Sequence, residues 1–382
     1  MSRRKLIVYA LLLVIFTFSA TTAGFFYLLK VHTGDVLSTV QFFRAVQIVK
    51  SKYVEDAPMD KLMAGAVKGM VDSLGDPHSV YMDGKMFKEF MIETEGSFGG
   101  VGIVVGVKDK ALLVVSPIEG TPGEKSGIKS GDQIVKIDGQ LTKELALDEA
   151  VNKIRGPEGS SVVLSIQRGS EAEKDYTLVR SNIQIKTVSG KMLPNNVGYI
   201  RISMFNENTG SDFAKKYEEL ESQGMKAVIL DMRDNPGGLL DECVKVANKF
   251  VPKGPIVSVV TRDGTRETHS STLEAVKYPV AVLVNGGSAS AAEIVAGAIQ
   301  DTQSGTLIGT KTYGKGSVQT LMRLDSGTAI KLTIAKYLTP NDRSINGIGI
   351  EPDIVLDAPQ AKDEAQDIQL QKAIEVVQGK MQ

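Results

Sequence analysis

The chain contains little cysteine and almost no net charge. One cysteine, Cys243, occurs among 382 residues, so no disulfide can form within the chain. Lysine and arginine together number 44 and aspartate and glutamate 45, which gives a formal net charge of −1 at pH 7. This balance does not indicate a polyanion-binding surface, and we expect no nucleic-acid partner. The length predicts two or three domains.

Histidine is also scarce. The three histidines are His32, His78 and His269, and none lies in a recognisable partner motif for a Ser–His–Asp triad. No H-E-x-x-H motif or other metal-ligand spacing occurs, so we expect no metal and no cofactor. If the chain carries serine chemistry, the scarcity of histidine favours a lysine as the base.

The N-terminus contains one long uncharged stretch. The basic residues 3–5 precede Leu6–Leu29, which has no charged side chain. A helix of that length spans about 36 Å, enough to cross a bilayer. A cleaved signal peptide with its cut site in 19–24 is the alternative, but the apolar run continues through 25–29 and favours an uncleaved anchor. Residues 1–5 then stay in the cytoplasm, and we expect a single-pass protein of the cell membrane whose remaining residues are extracytoplasmic.

The rest of the chain divides into four segments by pattern. Residues 30–95 are predicted to be helical, and their amphipathic helices would suit a homodimer. Residues 96–180 show the alternation of short strands, and residues 181–357 alternate strands with helices, which is typical of an α/β core. The polar tail 358–382 is predicted to form a final helix, Asp363–Gln378, that either packs on a partner subunit or frays.

The stretch from Tyr278 to Thr320 carries the strongest indication of chemistry. Val280–Val284 is short and valine-rich, as in a buried strand, and Ser288–Gln300 is small and helix-forming. Ser288 and Ser290 therefore lie where a strand turns sharply into a helix. That geometry exposes a hydroxyl beside free backbone N–H groups, which is what acyl transfer requires.

Two other interpretations of this stretch are open on pattern alone. Ser290 and Glu293 fit the S-x-x-E capping box, in which the serine only caps a helix. Residues 309–315 are similar to a phosphate-binding loop, but Gly316 replaces the required Ser or Thr. The residues that follow, 317–324, are predicted to form a strand rather than the required helix.

The string Asn285–Glu293, NGGSASAAE, closely resembles the carboxy-terminal processing peptidases, also called tail-specific proteases. The segment Tyr313–Gly316, YGKG, and Gln319 follow it at the spacing of that family. These enzymes are serine peptidases with a Ser–Lys dyad. The resemblance implies that Ser290 is the nucleophile, Lys315 the general base and Gln319 the group that orients the lysine. It extends from about Phe42 to Asp357.

A lysine base requires a special environment. The reference pKa of lysine is about 10.4, and lowering it to about 7 disfavours the charged form by roughly 4 kcal/mol. The neutral side chain of Gln319 can orient the amine of Lys315 with less stabilisation of the charge than a carboxylate gives. The two residues would lie about 13 Å apart in an extended strand, so contact requires a turn or helical loop across 314–318. We hypothesise that this loop switches between assembled and disassembled states and that substrate docking favours the assembled one.

The 96–180 segment resembles a PDZ domain, chiefly through Ser130–Gly139, SGDQIVKIDG. A PDZ groove binds a peptide C-terminus as an added strand, and N–H groups of a glycine-rich loop hold its carboxylate. The positions of this chain that match that loop are Gly100, Val101, Gly102 and Ile103. The alternative is that these glycines serve only tight turns. Arg155 matches a position at which some relatives link the PDZ domain to the protease.

A second glycine turn is predicted in the α/β core. Val197–Ile202 and Ala227–Asp231 are predicted strands with a helix, Thr209–Gln223, between them, which indicates a parallel pair. A glycine turn and another helix follow. The glycines could serve only a helix entry that needs positive φ. The family resemblance implies instead an oxyanion hole made by the N–H groups of Gly237 or Gly238 and of Ala291.

The residues and the resemblance together predict one architecture and one activity. The architecture is an α/β protease core with an inserted mainly-β PDZ domain, an N-terminal helical segment and one N-terminal transmembrane helix. The activity is that of a serine endopeptidase that cleaves extracytoplasmic proteins at or near exposed apolar C-termini, with the PDZ domain recognising the substrate and gating the site. The alternatives are a PDZ scaffold with an inactive core and a hydrolase of another ester or amide.

Overall fold

A computed structural model describes residues 3–325, 327–361 and 363–381. The chain divides into two compact units, Met1–Tyr81 and Met82–Gln382. Residues 1 and 2 of the predicted cytoplasmic N-terminus, residue 326 of the predicted protease core and residues 362 and 382 of the predicted tail lie outside the described residues.

The first unit consists mainly of helices, as predicted for its sequence. Its helices are α1 (Arg3–Thr33), α2 (Val36–Lys52) and α3 (Met59–Asp72). Within α1, Arg3–Leu28 is long and apolar enough to cross a membrane, a property that a signal sequence would share.

The second unit begins with a helix and a mainly-β domain. After β1 (Val80–Met82), which spans the unit boundary, its elements are α4 (Gly84–Glu95), β2 (Ser97–Gly100), β3 (Ile103–Lys108), β4 (Ala111–Pro117), α5 (Pro122–Lys125), β5 (Gln133–Ile137), β6 (Gln140–Leu141), a 3₁₀ turn (Thr142–Glu144), α6 (Leu147–Ile154), β7 (Ser161–Gln167), β8 (Lys174–Val179) and β9 (Ser181–Gln184). The antiparallel sheet has the order β3-β4-β5-β7-β8, and β2 and β9 form a separate ribbon at the entry and exit of the domain.

The mainly-β domain has its own core. Val162, Leu164 and Ile166 alternate along β7 and are each at most 2 % exposed, which confirms the period-2 prediction for this strand. They pack with the apolar face of α6, including Ala150 and Ile154. This separate core is the physical basis for treating the segment as a domain inserted into the chain.

The α/β core follows. Its elements are β10 (Val188–Leu193), a 3₁₀ turn (Pro194–Asn196), β11 (Val197–Ile202), α7 (Thr209–Ser222), β12 (Ala227–Asp231), α8 (Leu240–Ala247), β13 (Gly254–Thr261), β14 (Arg266–Ser271), β15 (Val280–Val284), α9 (Ala291–Asp301), β16 (Thr306–Gly309), β17 (Ser317–Arg323), β18 (Ala329–Leu338), β19 (Ile354–Val355), a 3₁₀ turn (Glu364–Gln366) and α10 (Ile368–Gly379).

A six-stranded sheet forms the centre of the core, in the order β10-β11-β12-β15-β16-β19. The strands from β11 to β19 pair in parallel, and β10 is antiparallel at one edge. Along β12, Val228 and Leu230 face the apolar layer of α7, α8 and α9, whereas Ala227 and Ile229 face α10. Because the carboxyl ends of parallel strands share one edge, the loops after β12 and β15 lie side by side.

A second, antiparallel sheet supplies the other wall of the site. In it, β17 pairs with β18, β18 with β13, and β13 with β14. The ladder between β17 and β18 is interrupted by a β-bulge between Val318 and Gln319. A bulge bends its strand and re-aims the side chains beside it.

The C-terminal tail differs from the prediction. Instead of packing on a partner or fraying, α10 buries Leu370, Ala373 and Val377 against the central sheet of its own chain. The strands below it are apolar on both faces, so one face would be open to water without this helix. The predicted final helix is therefore present, and it is a layer of the core rather than a segment that frays.

Candidate active site

Ser290 lies at a sharp turn between β15 and α9. Its backbone has φ 54° and ψ −115°, a strained conformation for a residue with a side chain. A simple N-cap residue has extended backbone angles. A strained strand-to-helix turn of this kind presents the nucleophilic hydroxyl in α/β-hydrolases.

The two serines of this turn have different environments. Ser288 is fully buried, and its Oγ donates to the carbonyl of Met232 at 2.8 Å and accepts from the N–H of Asn285 at 2.9 Å. Ser290 is half-buried and lines an open cleft. The hydroxyl of Ser288 is thus used to close the turn, whereas that of Ser290 faces a space that a substrate can enter.

The cleft has a volume of about 800 Å³ and collects most of the predicted site. The predicted residues that line it are Ser290, Lys315, Gln319, Gly237, Gly238 and Ala291. The predicted peptide-binding residues of the mainly-β domain are not part of this lining. Among the described residues, no group of three or more His, Cys, Asp or Glu side chains could hold a metal ion.

A buried glutamate joins the main chain of Ser290 to that of Lys315. Glu293 is fully buried in the first turn of α9, and its Oε2 accepts the N–H of Ser290 and the N–H of Lys315, both at 2.8 Å. Its Oε1 accepts the N–H of Gly314 at 2.7 Å and the hydroxyl of Thr312 at 2.5 Å. The four donors come from the two loops that carry the predicted nucleophile and base, so one carboxylate fixes both loops on α9.

Tyr337 joins the same two loops from the opposite side. Its hydroxyl lies 3.1 Å from the carbonyl oxygen of Ser290 and donates a short hydrogen bond to the carbonyl of Lys315. The ring is 1 % exposed, and burial together with the nearby Glu293 raises the pKa of the phenol well above its usual value. The phenol therefore stays protonated as a donor through the neutral and moderately alkaline range.

We expect Tyr337→Phe to loosen this link without removing packing. Loss of a hydroxyl that contacts two buried carbonyls is expected to lower the free energy of unfolding by about 1–2 kcal/mol. It should also reduce kcat for any serine-dependent reaction by roughly tenfold, because the two loops are less well aligned. Chemical denaturation and steady-state kinetics measure the two effects. An unchanged kcat would contradict the alignment role of Tyr337.

The glycine turn, residues 232–239, lies directly against Ser290. Gly237 has φ 99°, and a side-chain carbon added there would lie 2.7 Å from Cβ of Ser290. The N–H of Gly237 donates to the side chain of Asn235 at 2.9 Å. Within the described part of the chain, neither the N–H of Gly238 nor that of Ala291 donates a hydrogen bond. Two unengaged amides therefore lie in the cleft beside Ser290.

The loop before Gln319 is not helical. Residues 311–316 have no regular structure, and β17 begins at Ser317. The side-chain amide of Gln319 donates to the hydroxyls of Ser317 at 2.8 Å and of Thr333 at 3.2 Å. The turn or helical loop that the sequence required for contact between Lys315 and Gln319 is thus replaced by an irregular loop and the β-bulge at Gln319.

The predicted peptide-binding residues lie in the mainly-β domain. The side chain of Val101 is buried in the core of that domain, whereas that of Ile103 is half-buried and packs against this core. The guanidinium of Arg155 stacks over the ring of Phe98, 4.3 Å from its centroid, and burial lowers its pKa. Because Phe98 belongs to the β2–β9 ribbon, Arg155 contacts the connection between the two domains.

Sequence reasoning missed the structural roles of Glu293 and Tyr337. The sequence pattern indicated Glu293 only as part of a capping box. One of the two hydrogen bonds of that box forms, from the N–H of Ser290 to the carboxylate of Glu293. A glutamate in the otherwise small and apolar helix 291–299 was the available signal. Tyr337 gave no comparable signal, since a tyrosine in a strand is ordinary.

Three segments of the chain match models of known protein families. Residues 196–356 match the model of peptidase family S41, residues 113–168 that of the PDZ domain, and residues 32–86 that of the activating protease CtpB N-terminal domain.

Relatives of known name cover most of the chain. It is 42 % identical to carboxy-terminal processing protease CtpA of Bacillus subtilis over 83 % of this chain and 68 % of that protein. It is 43 % identical to the carboxy-terminal-processing protease of Bartonella bacilliformis, over 81 % of this chain and 73 % of that protein. The fold is similar to the photosystem II D1 C-terminal processing protease, with a TM-score of 0.51, 29 % identity, and coverage of 86 % and 89 % of the two chains.

Proposed function

We propose, since this chain belongs to the carboxy-terminal processing serine proteases of peptidase family S41, that its reaction is carried by a Ser290–Lys315 dyad. The observation that carries this proposal is the pair of buried links, Glu293 and Tyr337, which tie the main chains of both residues together in one cleft. The spare amides of Gly238 and Ala291 beside Ser290 complete the requirements of acyl transfer.

The proposed reaction has two stages. The neutral amine of Lys315 takes the proton of the Ser290 hydroxyl while Oγ attacks the scissile carbonyl. The N–H groups of Gly238 and Ala291 hold the oxygen anion of the tetrahedral intermediate. Collapse of the tetrahedral intermediate breaks the C–N bond, and Lys315 gives the proton to the leaving amine. A water then attacks the acyl-enzyme by the same route and releases the new C-terminus.

Other predicted residues have supporting roles in this proposal. Gln319, in the same cleft, orients the amine of Lys315 without adding a negative charge that would favour the protonated form. Gly237 shapes the turn, and because its N–H is engaged by Asn235, we assign the oxyanion contact to Gly238. The N-terminal helix 3–28 anchors the enzyme in a membrane, with the protease on the extracytoplasmic side.

The PDZ domain is proposed to select the substrate. A C-terminal strand lies along β3, and the main chain of Gly100, Val101, Gly102 and Ile103 holds its carboxylate. Arg155, stacked on the connecting ribbon, transmits the presence of that strand to the protease. The substrates are then proteins with exposed, apolar C-termini.

The test compares two versions of one unstructured protein substrate, one with a free apolar C-terminus and one with a C-terminal amide. We expect the amide to be cleaved with at least a tenfold lower kcat/KM, because the amide loses the charged hydrogen bonds to the loop. Mass spectrometry of the products should place the cut near the C-terminus. Equal cleavage of both substrates would contradict recognition of the carboxylate, and no cleavage of either would contradict the proposed function.

A further inference from the structure

A buried arginine anchors the glycine turn at its base. Arg233 is 1 % exposed, and its guanidinium lies between the carboxylates of Asp231 and Asp367. Its Nη2 donates to Asp231 at 2.6 Å and to Asp367 at 2.8 Å. Its Nη1 donates to Asp367 at 3.0 Å and to Oε1 of Gln369 at 3.1 Å. The Arg233 guanidinium therefore donates hydrogen bonds to carboxylates on two sides, and these bonds fix its position and orientation.

The acceptors Asp367 and Gln369 are themselves held in place. Asp367 is the N-cap of α10 and accepts the N–H of Leu370 at 3.0 Å, while the side-chain amide of Gln369 donates to the carbonyl of Leu356 at 2.8 Å. Burial by itself lowers the pKa of the Arg233 guanidinium, but the hydrogen bonds that it donates to both aspartates raise that pKa above its ordinary value. The two carboxylates thus stabilise the buried charge of Arg233.

The glycine turn contains Arg233 near its start and lies against Ser290 at its other end. The carbonyl of Asn235 accepts the N–H of Ala289 at 2.9 Å, and Gly237 approaches Ser290 so closely that it has no room for a side chain. Because the turn contacts this loop at Asn235 and Gly237, a shift of the turn would change the position of the loop that carries Ser290. A displacement of about 1 Å at such a site can cost a hundredfold in rate.

We propose that Asp367 and Gln369 are positioning residues, which hold the glycine turn so that the N–H of Gly238 points at the oxyanion. The inference rests on the proposed function, in which Gly238 and Ala291 stabilise that charge. Both positioning residues lie beyond residue 356, where the match to the peptidase family model ends. The C-terminal segment is then part of the support of the active site rather than an accessory.

The experiment uses the full-length protein in detergent and the variant Asp367→Asn, which keeps the side-chain shape but turns an amide nitrogen toward a guanidinium N–H. We expect kcat for a peptide substrate to fall 10- to 100-fold while KM stays within about twofold. The inhibition constant of a peptidyl boronic acid, which forms a tetrahedral anion on the serine, should rise by the same factor. The matched control is Glu375→Gln, which removes an exposed carboxylate paired with Lys372 on the same helix. This control should leave both quantities unchanged.

A folded Asp367→Asn protein with the wild-type kcat and boronate affinity would overturn the inference, even if its Tm were lower. If Asp367→Asn does not fold, Gln369→Ala, which removes one neutral acceptor, is judged by the same two measurements. A wild-type protein that neither cleaves peptides nor binds the boronate refutes the proposed function instead. Hydrogen exchange of residues 232–239 then decides the inference. Faster exchange in Asp367→Asn or Gln369→Ala than in Glu375→Gln supports it, and equal exchange overturns it.

Discussion

Replacing Ser290 or Lys315 by alanine is expected to lower kcat/KM for peptide cleavage by at least about 10⁴-fold. In the proposed mechanism, Ser290→Ala removes the atom that forms the acyl-enzyme, and Lys315→Ala removes the base that makes that atom nucleophilic. Because the proposed dyad acts as a unit, the double variant should be no worse than either single variant. Cleavage of an unstructured protein with an apolar C-terminus, followed by gel and mass spectrometry, measures the loss.

Ser288→Ala is the matched control for this prediction. Ser288 lies two residues before Ser290 in the same turn. The substitution removes the hydroxyl that closes this turn through its hydrogen bonds with Met232 and Asn285. We expect it to lower the free energy of unfolding by about 1–3 kcal/mol while the folded fraction keeps measurable activity. A Ser290→Ala protein that keeps the wild-type rate would reduce Ser290 to a helix cap. An inactive wild type would favour a scaffold with a PDZ domain.

The second large effect is expected from Glu293→Gln. The carboxylate accepts four hydrogen bonds, two at each oxygen, whereas a glutamine accepts at one oxygen and presents an NH₂ group to the other two donors. At least one buried backbone N–H is then left unsatisfied, because only the Thr312 hydroxyl among the four donors can turn and accept from the NH₂ group, at a cost of about 1–3 kcal/mol in the free energy of unfolding. The misalignment of the two loops should lower kcat by about a hundredfold with a smaller change in KM.

The control for this prediction is Thr312→Val. It removes the one side-chain donor to Glu293 and leaves the three backbone N–H groups in place, although it also removes the acceptor of the Ile350 N–H. We therefore expect a graded result, with a loss of kcat clearly smaller than that of Glu293→Gln. Kinetics are measured at a temperature where denaturation curves show both variants to be folded. Equal kcat in wild type and Glu293→Gln would show that the carboxylate serves only the stability of α9.

Local patterns predicted most of the elements. The strands Val197–Ile202, Ala227–Asp231 and Val280–Val284 have the bounds that the sequence indicated. Each is a run whose period of polar and apolar residues is set by the geometry of the element itself. The parallel pairing of Val197–Ile202 with Ala227–Asp231 also follows the prediction, because a helix between two strands is long enough for a crossover.

The loops of the site were less predictable. The sequence required a turn or helical loop across 314–318, but the chain forms an irregular loop and a bulge there. A bulge depends on the register between β17 and β18, which no short window of sequence contains. The same holds for the tail. A final helix was predicted in a polar tail, but the sheet face that α10 covers is formed by strands distant in sequence.

The sequence by itself determined the order of the elements, the apolar N-terminal helix, and the presence of a serine between a strand and a helix with a lysine behind it. Each of these features depends only on residues that are close together in the sequence. The tertiary structure alone decided which of the two serines faces the cleft, which glycine amide is unengaged, and that Glu293 and Tyr337 link the two loops. It also decided that Asp367 meets Arg233 across 134 positions of the chain. Such contacts exist only after the sheet has brought distant segments together, because a buried charge or hydroxyl is stable only where folding supplies its partners.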